Sequence, residues 1–167
     1  MKTPTHVISV LATVGILCLG ASAQAVADRA SVNDANGDAP AKGDIAFAKY
    51  MNDQTKVSGS VRMANLTNGG RFELVAAVPS SDSAYAAIVR HRPGGGVLTR
   101  LVFLGNDGLE TQPCPQMDAA WRKGRDLVTV SFPRDCIPDM QNRLYMQSNF
   151  KLGNSTDNAP KRVLNRG

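Results

Sequence analysis

From residue 45 onward, apolar side chains recur at every second position rather than every third or fourth. That period buries one face of each segment and leaves the other in water, so it dictates strands and excludes a bundle of amphipathic helices. Ile45, Phe47 and Lys49 share one face of a first segment, with Ala46, Ala48 and Tyr50 on the other. Val57, Gly59, Val61 and Met63 alternate with Ser58, Ser60, Arg62 and Ala64, and Phe72, Leu74, Ala76 and Val78 alternate against Arg71 and Glu73. Residues 84–91, 97–104, 127–132 and 144–152 continue the pattern. Between them lie Asn68, Gly69 and Gly70, the run Pro93, Gly94, Gly95 and Gly96, and Asn106, Asp107 and Gly108, all residue types that suit tight turns or positive φ. Residues 117–122 are the sole helical candidate. About seven or eight short strands with closely spaced turns predict an all-β fold, an antiparallel, jelly-roll-like β-sandwich. A closed β-barrel is the alternative.

Ahead of the strands stands a different kind of segment. Lys2 precedes an apolar run over residues 7–21, and small residues then occupy the −3 and −1 positions of cleavage sites after Ala23 or Ala25. This is the three-part pattern of a secretory signal peptide, and the run is shorter than the roughly 20 residues a membrane span needs. The reading divides the chain into a signal peptide (1–25), a flexible leader (26–43), a sandwich domain (44–152) and a C-terminal tail (153–167). It places the product outside the cell, with no membrane span after cleavage. Loss of Lys2 from the 19 basic residues leaves 18 against 14 acidic ones, a net charge of +4. Of the three cysteines, Cys18 leaves with the signal peptide. Cys114 and Cys136 then remain as an even pair, which in an exported protein reads as a disulfide.

Asp34, Asn36 and Asp38 alternate around Gly37, and Asp44 follows just before the first alternating segment. Hard cations take six to eight oxygen ligands, and such a loop can supply several from one stretch of chain. The spacing is not that of an EF-hand, since the glycine falls at the fourth loop position and Ile45 at the twelfth. A solvated Asp/Asn/Gly turn is the plainer expectation, and a weak calcium site is the alternative, with calcium the metal such a loop would take.

Arg90 and Arg92 fall on one face of their strand, with Arg100 across the following hairpin. Arg122, Lys123 and Arg125 form a second group. Basic patches of this kind attract polyanions, but no aromatic residues are interleaved with them and no specific nucleic-acid recognition module is visible. Trp121, the single tryptophan, is either a platform for a sugar ring or core packing.

Catalytic chemistry has little to draw on. The chain has two glutamates, and beyond the signal peptide its one histidine is His91, between Arg90 and Arg92. No nucleophile elbow, zinc-protease motif or phosphate loop occurs. The expectation is a secreted, non-catalytic binding or structural module whose partner is a cell-surface glycan. The alternatives are a polyanion binder acting through the basic patches and a secreted hydrolase with an unrecognised site.

Three short motifs recur in order. They are Asp34-x-x-Gly37-Asp38 with Asp44 and Ile45, then Phe132-Pro133-Arg134-x-Cys136-Ile137, then Asp157-x-Ala159-Pro160. In this the chain resembles small secreted proteins of unassigned activity from high-GC Gram-positive bacteria, whose layout is similar to DOMON-type and carbohydrate-binding-module jelly rolls. The resemblance implies an antiparallel sandwich and names no substrate. It also implies that the tail returns to the edge of the first strand, which would make Asp157 a fifth cation ligand.

Overall fold

The computed structural model describes residues 27–35, 37–79, 81–140 and 142–167. The expected signal peptide and Asn36 lie outside the described residues. Among the described residues twelve strands form in chain order: β1 (Asp28–Asn33), β2 (Ile45–Asn52), β3 (Lys56–Met63), β4 (Arg71–Ala77), β5 (Ala84–His91), β6 (Val97–Gly105), β7 (Gly108–Gln112), β8 (Asp118–Arg122), β9 (Leu127–Pro133), β10 (Arg143–Leu152), β11 (Ser155–Asn158) and β12 (Arg162–Asn165). They build two antiparallel sheets rather than a closed barrel. The first runs β1-β2-β3-β9-β8, and the second runs β11-β10-β4-β5-β6-β7, with β12 also paired to β10.

Alternation sets which side of each strand is dry. Phe72, Leu74 and Ala76 of β4, Leu144, Met146 and Phe150 of β10, and Val57, Val61 and Met63 of β3 are buried between the sheets. Strand β2 departs from the simple pattern. A bulge between Ile45 and Phe47 shifts its register against β3, so Ile45 points inward and so do Ala48 and Tyr50. The extra residue reverses the parity that strict alternation predicts.

Three segments differ from the sequence expectation. Within the supposed flexible leader, residues 28–33 are strand β1, because Val32 packs in the core and Ala30 against it while the ladder to β2 holds the backbone. The supposed tail supplies β11 and β12, and Leu164 is fully buried. The helical candidate is strand β8, whose Ala119 and Trp121 pack on the core while the backbone pairs with β9. Each of these segments lies at a sheet edge, where few alternating positions reveal a strand to sequence.

Two further ties close the sandwich. Cys114, before β8, and Cys136, after β9, have their sulfurs at bonding distance and their Cα atoms 5.4 Å apart. Asn52, fully buried at the end of β2, donates to the carbonyls of Asn142 and Leu164 and accepts from the Arg134 guanidinium. Burial lowers the pKa of that guanidinium, and nearby Arg166 lowers it further.

Candidate metal centre and binding faces

The loop joining β1 to β2 carries Asp34, Asp38 and Asp44, and β11 brings Asp157 to it from the other sheet. Asp38, Asp44 and Asp157 each present a carboxylate oxygen, and these oxygens lie within 4.8 Å of one another. Two of the three side chains are withdrawn from water, Asp44 at 4% exposure and Asp157 at 5%.

The backbone fixes this arrangement. Gly37 takes φ +85°, a conformation glycine adopts without a Cβ penalty. Its N–H donates to Asp44 Oδ2 at 3.1 Å. The Asp44 carbonyl accepts from Ala64 N–H at 2.9 Å, which anchors the residue to the chain beyond β3. Asp157 Oδ2 accepts from Ile45 N–H and its Oδ1 accepts from Asn158 N–H, so one carboxylate links the two sheets. Asp34 Oδ1 accepts from Ala35 N–H at 3.1 Å.

What remains unmatched is as informative. Asp44 Oδ1 and Asp34 Oδ2 are buried without a hydrogen-bond partner. Desolvation raises the pKa of Asp157, against two backbone hydrogen bonds, with Asp38 and Asp44 raising it further. Asp34 is also raised, first by burial and then by the charges of Asp157, Asp38 and Asp44. Such a cluster is costly to assemble unless positive charge or protons enter it. Four of the five acidic or amide positions singled out from sequence are thus in one place, and Asn36 lies outside the described residues.

The weaker candidates fall elsewhere. Trp121 is half-buried, donates its indole N–H to the Thr67 carbonyl at 2.9 Å, and packs between His91 and Phe150 with ring centroids 6.1 and 5.7 Å away. Among the described residues His91 makes no hydrogen bond to a carboxylate or hydroxyl, and its Nδ1 is buried without a partner.

Arg90 and Arg100 sit on the outer face of the seven-stranded sheet as diagonal neighbours, because Arg90 opposes Leu98 and Ile88 opposes Arg100. Arg92 has left the strand, and its N–H donates to the Gly96 carbonyl in the turn. Register adds two cations to that face that alternation alone does not join to it. Arg71 opposes Arg90, and Lys151 opposes Arg71. No protein-family model matches this chain, and no curated protein matches it in sequence.

Proposed function

We propose that this chain is an exported, non-catalytic binding module whose sandwich is clamped by a calcium ion held between Asp38, Asp44 and Asp157, with Asp34 beside them. The observation that carries the reading is the Asp44 carboxylate, buried at 4% exposure with one oxygen unpartnered and two further carboxylates within 4.8 Å. Hard oxygen donors with no sulfur or imidazole among them favour calcium over softer metals. Two protein-bound oxygens of Asp157 already accept backbone hydrogen bonds, so the site is partly organised before a cation arrives.

Export rests on the leader pattern, and the binding role rests on the open sheet faces. Calcium affinity in extracellular modules is typically about 10⁻⁴–10⁻³ M, so saturation contributes roughly 1–3 kcal/mol of folded-state stability. The test is thermal unfolding in millimolar calcium against chelator, repeated with magnesium and with Asp38→Ala. A rise in melting temperature with calcium that Asp38→Ala abolishes supports the reading. A wild-type curve indifferent to calcium leaves a solvated turn as the better account.

A further inference from the structure

The outer face of the seven-stranded sheet grades from cationic to apolar along its strands. Residues in register across a sheet share a face, so each row can be read directly from the pairing. One row runs Lys151, Arg71, Arg90 and Leu98. The next carries Glu73, Ile88 and Arg100. At the far end a row of Val163, Tyr145, Ala77, Ala84, Leu104 and Leu109 contains no polar group beyond one phenol. The large apolar side chains that stand exposed among the described residues are Leu98, Leu109, Tyr145 and Val163, and all four lie on this face. Leu109 is 76% exposed.

A shallow trough of about 460 Å³ joins the two ends, with Arg71, Arg90 and Arg100 at one side and Ile88, Leu104 and Leu109 at the other. A smaller depression, also lined by Arg71 and Arg90, adds Lys151. The only ion pair among the described residues joins Arg71 to Glu73 at 2.5 Å. Glu73 is the one carboxylate lining the trough and it is paired with Arg71, so Arg90, Arg100 and Lys151 form no ion pair among the described residues.

We infer that this trough binds a single-chain anionic lipid, with its carboxylate at Arg90 and Arg100 and its chain laid over Ile88 toward Leu104 and Leu109. Three two-residue steps along β5 separate the Arg90 row from the Ala84 row, roughly 20 Å at strand rise, which is the reach of an extended long-chain fatty acid. The volume lies within the range of small-ligand sites. The gradient along one axis is what decides for a free lipid over a bilayer. A membrane surface meets basic and apolar groups at different depths, whereas here both lie in one sheet face and are joined by a continuous trough. The site is separate from the aspartate cluster and does not depend on the calcium reading.

The experiment titrates the purified protein with cis-parinarate below its micellar concentration and follows its fluorescence. It then competes the probe with dodecanoate, with dodecyltrimethylammonium, and with anionic phospholipid vesicles. The expected result is saturable 1:1 binding, displaced by dodecanoate at concentrations at least about tenfold below those needed for the cationic amphiphile. Arg90→Ser combined with Arg100→Ser should weaken binding about tenfold or more. Leu109→Ser, a change at an exposed side chain that leaves the fold intact, should weaken it several-fold while near-ultraviolet circular dichroism is unchanged. Equal displacement by both amphiphiles, affinity confined to vesicles, or a concentration-dependent dimer that Leu109→Ser dissociates and that excludes the probe would each overturn the inference.

Discussion

Replacing Asp44 by asparagine separates the cost of the aspartate cluster from its use. In the folded chain Asp44 Oδ2 accepts from Gly37 N–H, while Oδ1 is buried with no partner. Asparagine keeps the first contact through its carbonyl, puts a neutral amide where the orphan oxygen stood, and removes one negative charge from beside Asp38 and Asp157. At 4.8 Å, the outer limit of their oxygen separations, two unit charges repel by about 1 kcal/mol in water and about 3.5 kcal/mol at an effective dielectric of about 20. Asp44 has two such neighbours, so relief of roughly 1–3 kcal/mol is expected in chelator near pH 8. For a domain of this size that is a rise of about 3–10 °C in melting temperature. In calcium the same change removes a charged ligand, so the variant should bind the ion at least about tenfold more weakly and lose most of the calcium-induced shift. The two melting curves therefore exchange order: the variant is the more stable in chelator and loses that lead at about 10 mM calcium. The assay is scanning calorimetry of both proteins in both buffers. A variant that melts below wild type in chelator would refute the repulsion argument, and an undiminished calcium shift would remove Asp44 from the ligand set.

Gly70 adopts φ +101°, and a Cβ there would sit 2.7 Å from Phe150 Cζ and 3.0 Å from the Lys151 carbonyl oxygen. Gly70→Ala should cost about 2–4 kcal/mol from backbone strain and overpacking, whereas Gly94→Ala, which meets nothing within 4 Å, should be nearly neutral by calorimetry. Intact mass under non-reducing conditions should fall two hydrogens below the reduced mass. Replacing Cys114 and Cys136 together by serine should cost roughly 3 kcal/mol for a bridge spanning 22 positions.

Much of the architecture is legible in the alternation, because a two-sheet core needs one dry side on every central strand. Strands β3, β4, β5, β6, β9 and β10 have long alternating runs and are all foreseen. What alternation misses is at the edges. Strands β1, β11 and β12 are four to six residues long and carry few buried side chains, so their hydrogen-bonded partners rather than their own sequence define them. The same limit applies to the candidate sites. The run from Asp34 to Asp44 is local and visible as a loop of oxygen donors, but Asp157 reaches it only because β11 folds back along β10. Arg71 and Lys151 join Arg90 through register across three strands, a relation that spacing along the chain does not encode.

The two ends of β2 differ in how their buried polar groups are answered, and that difference is the physical basis for proposing a cation at one of them. At the Asn52 end, strand and opposite sheet are joined by a neutral amide that is fully used: Nδ2 serves the carbonyls of Asn142 and Leu164, and Oδ1 receives the Arg134 guanidinium. Its charge comes from a side chain of this protein, and Asn52 is left with no buried polar atom unmatched. At the Ile45 end the same task falls to Asp157, whose carboxylate takes the Ile45 N–H from across the sandwich. There the neighbouring side chains are Asp34, Asp38 and Asp44, with no basic residue in hydrogen-bond or ion-pair contact among the described residues. The orphan oxygens of Asp34 and Asp44 are at this end as well. A joint between sheets whose side chains are all carboxylates lacks a side-chain donor or cation of its own, and under the proposed function a divalent cation with oxygen preference would supply what Arg134 supplies at the other end.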